Sequence, residues 1–86
     1  MKKNFHDCAF NEYLYWLEHH PKIFHKINKL LKSIERDGAM KGEGKPEKLK
    51  HEKGQYSRRI DNSNRLVYEV SSDVITIVSC KGHYEE

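Results

Sequence analysis

The sequence predicts an α+β domain, an N-terminal helical hairpin packed on a β-sheet. Two amphipathic stretches at helical spacing fill the first 37 residues, and the short break at His19-His20-Pro21 forces them into an αα-hairpin. The last 31 residues hold short apolar-alternating runs joined by polar turns, the pattern of consecutive β-hairpins. The apolar side of the helical hairpin needs a cover, and these strands supply it.

At 86 residues the chain reads as a single domain, 1–86, near the size at which one hydrophobic core barely suffices. Hydrophobic content of 36% beside charged content of 34% fits a globular domain with a heavily charged surface. There is neither an apolar run of membrane-spanning length nor the apolar stretch of a signal peptide, so the expectation is a cytoplasmic chain without a membrane partner. Cys8 and Cys80 lack metal or redox spacing and read as two small buried hydrophobes. The six histidines show no ligand spacing on a helix, so neither a metal nor any other cofactor is expected.

In chain order, Asn4-Phe5-His6 can form an edge strand. Asp7 is a good N-cap for a helix over Cys8–His19, whose apolar stripe is Phe10, Tyr13, Leu14 and Leu17. Tyr15 and Trp16 lie off that stripe and either widen the packed face, the favoured reading, or contact a neighbour such as a stacked base. Pro21 opens a second helix at the position where a missing N–H costs nothing, and Ile23, Ile27, Leu30, Leu31 and Ile34 form its buried stripe. Gly38 ends it. The following stretch, 38–51, contains no phosphate-binding glycine motif; it admits a short strand at Lys48-Leu49-Lys50 and carries Glu47 into a ring of lysines.

The hairpins fix which side chains share a face. With Asp61-Asn62-Ser63 as a three-residue loop, Ile60 faces Asn64 and Arg59 faces Arg65. With Ser71-Ser72-Asp73 read likewise, Val70 faces Val74 and Arg65 faces Ser79. One face then collects Tyr56, Ile60, Leu66, Tyr68, Val70, Val74, Thr76, Val78 and Cys80 as core. The other collects Ser57, Arg59, Arg65, Lys81 and His83, together with Val67, Ile75 and Ile77. Arginines and a histidine on one face suit a phosphate; the competing reading is a solvated strand surface. His83 lies four residues past Ser79, roughly 13 Å along a regular strand, so the chain must curl, and Gly82 permits it. Between Lys41 and Arg65 eight basic residues outnumber four acidic ones, a basic strip suited to nucleic acid.

The segment Gly44-Lys45-Pro46-Glu47-Lys48-Leu49-Lys50-His51, with Ser57-Arg58-Arg59-Ile60, Arg65-Leu66-Val67-Tyr68 and the terminal His83-Tyr84, resembles the YoeB/Txe family of toxin endoribonucleases within the wider RelE group. Tyr13-Leu14-Tyr15-Trp16 and Lys26-Ile27-Asn28-Lys29-Leu30 extend the likeness to nearly the whole chain. The resemblance implies a twisted, mainly antiparallel sheet as in microbial ribonucleases. It further implies ribosome-dependent cleavage of mRNA, and an acidic YefM/Phd-like antitoxin as inhibitor. By the same resemblance Glu47 is the general base, His83 the general acid and Arg65 the transition-state stabiliser, with Lys50, Arg59 and Tyr84 in support. A homodimer is a further expected partner state, because Val67, Ile75 and Ile77 would need an antitoxin segment or a second copy to cover them. The sequence departs from the family pattern in the connection His51-Glu52-Lys53-Gly54-Gln55-Tyr56, one residue shorter than usual, at Gly82, where a bulky residue is common, and in the added Glu85-Glu86. The alternative function is a noncatalytic module that binds RNA, the ribosome or an antitoxin through the same strip.

Overall fold

The computed structural model describes residues 1–82. Two helices, α1 (Asp7–His19) and α2 (Pro21–Asp37), pack on a five-stranded sheet of β1 (Lys2–Phe5), β2 (Glu47–Lys48), β3 (Tyr56–Arg59), β4 (Arg65–Ser71) and β5 (Val74–Ser79). The strand order is β1-β5-β4-β3-β2, antiparallel throughout except for the parallel pair β1 and β5. The expected α+β architecture and mainly antiparallel sheet are therefore present. The amino-terminal edge strand is present too, starting two residues earlier than expected, and its pairing continues where His6 N–H donates to the Ile77 carbonyl at 3.0 Å.

Helix α2 follows its sequence signals: Pro21 is at its start, and Ile27, Leu30, Leu31 and Ile34 are buried. Gly38 closes it at φ 97°, donating its N–H to Ile34 O at 2.9 Å. Helix α1 does not follow its expected stripe. Phe10, Leu14 and Leu17 are 47%, 42% and 48% exposed, while Ala9 and Trp16 are buried and Tyr13 is half-buried. Ala9, Tyr13 and Trp16 have the same i, i+4, i+7 spacing as Phe10, Leu14 and Leu17, one residue back, so periodicity alone cannot choose between them. Polar anchors choose. Trp16 Nε1 donates to Cys80 O at 2.9 Å and Glu12 Oε1 accepts the Cys80 N–H at 2.8 Å, which turns the Trp16 face inward. Asp7 is the first residue of α1 rather than its cap, and its carboxylate sits in the turn where the helix dipole favours negative charge.

The first hairpin has the expected register, with Arg59 opposite Arg65 and Ile60 N–H donating to Asn64 O at 3.0 Å. The second does not. Ser71 stays in the strand opposite Val74, so the turn is Ser72-Asp73, with Ser72 at φ 52°, and Val70 faces Ile75 instead of Val74. A one-residue change moves every side chain to the other face. Ile75 and Ile77 are consequently in the core, and Val74, Thr76 and Val78 are not. A β-bulge in β5 at Val78, opposite the Val67–Tyr68 step of β4, then sets Tyr68 opposite Ile77 but Val67 opposite Ser79. It returns Cys80 to the core face, where the thiol donates to Ala9 O at 3.6 Å. The expectation that Val67, Ile75 and Ile77 form an apolar patch awaiting a partner is thus incorrect, because all three are fully buried within the monomer.

The cysteines are both free, and only Cys80 is buried; Cys8 is exposed, contrary to expectation. Burial pushes the Cys80 thiol up to about 12. A thiol reagent is expected to modify Cys8 quickly in the native protein and to reach Cys80 only on unfolding, as mass spectrometry of pulse-labelled protein would read. The unfolded thiol ionises near pH ~8.5, so the contribution of neutral Cys80 to stability is whole below that pH and declines as pH rises toward about 12. Denaturant midpoints measured upward from pH 8 should fall less steeply for Cys80→Ala.

Candidate functional site

The helices cover one face of the sheet; the candidate site residues lie on the other. Paired residues share a face, so the row Glu47, Ser57, Val67 and Ser79 crosses four strands on one side of the sheet. Arg59 and Arg65, opposite each other, form the next row on that side. Neighbouring strands lie about 4.8 Å apart and same-face rows about 7 Å, so the long side chains of Glu47, Arg59 and Arg65 can meet over one bound group. Ser57 and Val67 are buried and form a floor; Arg65 is half-buried, while Glu47 and Arg59 are exposed.

Glu47 and Lys48 form β2, one residue earlier than the expected Lys48-Leu49-Lys50 strand. Lys50 falls on the exposed bend after β2, where Leu49 N–H donates to Gln55 O at 2.9 Å, and so is not on a strand of the site face.

On the other flank the segment after β5 is tied to Arg65. Arg65 N–H donates to Gly82 O at 2.9 Å, and Gly82 N–H donates to Asn64 Oδ1 at 2.9 Å. Asp61 in turn holds Asn64, since its Oδ1 accepts the Ser63 and Asn64 N–H groups at 2.8 and 2.7 Å and the Asn64 carboxamide at 3.1 Å. Gly82 has φ 100°, the curl expected there. Lys81 departs from the expected face: its ammonium lies 5.1 Å from the Tyr15 ring centroid and 6.0 Å from that of Trp16, across α1. His83, Tyr84 and the Glu85-Glu86 extension lie outside the described residues.

Arg58 also departs from its expected place. Counted in the basic strip, it is in fact fully buried on the helix side, opposite Leu66. Its Nε donates to Tyr68 Oη at 2.8 Å, Nη1 to Ser33 Oγ and Glu43 O at 2.9 Å each, and Nη2 to the Gly38 and Lys41 carbonyls at 2.7 Å each. Strict alternation was the available signal, since it sets Arg58 between Tyr56 and Ile60 on the apolar side. The same loop passes close to β3 at Gly44, φ 87°, whose carbonyl accepts the Arg59 N–H at 2.6 Å. A Cβ there would lie 2.8 Å from Leu30 Cδ2 and 3.1 Å from Arg58 Cβ, so only glycine fits without displacement.

Charge around the loop is set by short contacts. The Arg36 guanidinium, donating to Asp37 Oδ1 and Oδ2 at 3.1 and 3.0 Å, and the Ser33 hydroxyl hold the Asp37 carboxyl below its ordinary range. Burial raises the Tyr68 phenol, and the hydrogen bond from Arg58 opposes that rise.

Comparisons with known proteins agree with the fold. A family model described as "YoeB-like toxin of bacterial type II toxin-antitoxin system" matches residues 5–84. Toxin YoeB of Escherichia coli K12 is 44% identical over 85 residues, covering 98% of this chain and all of that protein. The structure of the YoeB dimer from Staphylococcus aureus superposes with a TM-score of 0.94 at 49% identity, covering 98% of each chain. The heterotetrameric YoeB-YefM toxin-antitoxin complex from the same organism gives 0.92 at 50% identity, again over 98% of each chain.

Proposed function

The chain belongs to the YoeB-like toxins of bacterial type II toxin-antitoxin systems, and on that premise we propose that it is a metal-independent endoribonuclease that cleaves mRNA on the ribosome in the cytoplasm. The observation that carries the reading is the placement of a carboxylate, Glu47, with Arg59 and Arg65 in adjacent rows of one sheet face, beside Gly82. A noncatalytic phosphate binder has use for the arginines but none for a carboxylate among them.

In this reading Glu47 removes the proton of a ribose 2′-OH, whose oxygen attacks the adjacent phosphorus. His83 donates a proton to the departing 5′-oxygen, and the products are a 2′,3′-cyclic phosphate and a 5′-hydroxyl. Arg65 neutralises charge growing on the nonbridging oxygens. Lys50, Arg59 and Tyr84 hold the backbone of the RNA. The partner is an acidic antitoxin of the YefM/Phd kind, by analogy with the YoeB-YefM complex, and a second copy of the chain, by analogy with the YoeB dimer.

Mapping mRNA 5′ ends in a translation extract tests the reading: new ends should appear within codons when the protein is added. Translation blocked without new ends would establish the binder instead. Arg65→Ala is expected to slow cleavage about 10²–10³-fold, the usual cost of one preorganised donor at a developing anion. Arg65→Lys should recover only part of it, because a point charge lacks the two-pronged guanidinium contact.

A further inference from the structure

Arg58 is an unusual use of a charged residue. It is fully buried, it lies on the helix side of the sheet away from the site, and each of its five N–H donors has an acceptor within 2.9 Å. No carboxylate is among those acceptors. Three are backbone carbonyls of one connection, those of Gly38, Lys41 and Glu43, and the other two are the hydroxyls of Ser33 on α2 and Tyr68 on β4. A buried cation is tolerated here because Gly38 O lies at the carboxyl end of α2, where the helix dipole is negative, and because every donor is satisfied.

The two hydroxyls extend the grip. Tyr68 Oη donates to Ala39 O at 2.6 Å, and Ser33 Oγ accepts the Glu43 N–H at 3.0 Å while donating to Asp37 Oδ2 at 3.0 Å. Residues 38–43 are thereby wound around a single guanidinium. The chain leaves this winding at Gly44, bonds its carbonyl to Arg59 N–H, and reaches Glu47 three residues later. β2 is only two residues long and sits at the sheet edge, so its own pairing with β3 holds Glu47 weakly.

We propose that Arg58 is a positioning residue for Glu47: from the opposite face of the sheet it fixes the path of the 38–44 connection and so sets where the carboxylate stands relative to Arg59 and Arg65. The inference rests on the endoribonuclease reading above. Neighbouring arginines in sequence then divide the work, Arg59 facing the RNA and Arg58 holding the segment that carries the base.

The test is a double-mutant cycle in single-turnover cleavage of mRNA on programmed ribosomes, using full-length Arg58→Lys alone and combined with Glu47→Gln. Arg58→Lys keeps the charge but offers three donors in place of five. It should slow the cleavage step about 10–100-fold, the scale of a misplacement near 1 Å, with the half-saturating toxin concentration on ribosomes unchanged. In the Glu47→Gln background the same substitution should cost less than about threefold, since an absent base cannot be misplaced. Faster hydrogen exchange at the Arg59 amide, with exchange in β4 and β5 unaltered, is the matching structural signature. Should Arg58→Lys fail to fold, Tyr68→Phe and Ser33→Ala each remove one acceptor and are run through the same cycle. A cost that carries over in full to the Glu47→Gln background overturns the positioning role and leaves the reaction intact. No slowing by Glu47→Gln itself overturns both.

Discussion

Glu47→Gln is expected to slow single-turnover cleavage of ribosome-bound mRNA by about 10²–10⁴-fold, the usual contribution of one positioned proton-transfer group. The substitution is nearly isosteric and falls on an exposed residue of a two-residue edge strand, so far-ultraviolet circular dichroism and the thermal midpoint should not move. Co-sedimentation with ribosomes should be as strong as before, or stronger, because one negative charge is removed from a basic surface. His83→Gln should fall in the same range for the opposite proton transfer. The two losses should combine to less than their product, as they do for groups that act as a unit. Rates unchanged in both variants would sink the assignment of acid and base.

Ile77→Asp is expected to abolish folding. Ile77 lies opposite Tyr68 within the sheet, has no solvent exposure, and packs in the core cluster that joins both helices to the strands. Removing its side chain alone would cost about 2–5 kcal/mol in transfer and cavity terms. An aspartate there adds either an unpaired buried charge or a protonated carboxyl without a partner, a further penalty of about 1–3 kcal/mol at the least. A domain of this length has roughly 5–10 kcal/mol in total. Loss of native circular dichroism, with no soluble monomer recovered, is the expected result; a folded variant that had lost only its affinity for a partner would show that Ile77 faces outward. The control is Thr76→Asp, half-buried and on the other face of the same strand, which should fold.

The exposed stripe of α1 and the exchanged faces of β5 have one origin. In α1, Phe10, Leu14, Leu17 and Ala9, Tyr13, Trp16 obey the same spacing, and the inner set is chosen by the hydrogen bonds that Trp16 donates to Cys80 O and Glu12 accepts from Cys80 N–H, 64 and 68 residues away. In β5, alternation was legible but its phase was not. Two residues or three in the turn at Ser72 decide the phase, and the bulge opposite Val67 shifts it again before Cys80.

What the sequence determined by itself was whatever depends on neighbours within a few residues: both helices and their ends at Pro21 and Gly38, the first hairpin with Arg59 facing Arg65, and the motifs that carry the family resemblance. Only the tertiary structure decided which face of α1 is inside, which of Ile75 and Val74 is core, and that Arg58 belongs to the 38–43 connection rather than to the face of Arg59 and Arg65. The physical reason is that short-range periodicity defines faces without saying which one another element will cover. That choice is made by register and by polar groups that find partners only when the distant segments are assembled, as five acceptors from Ser33 to Tyr68 do around one guanidinium.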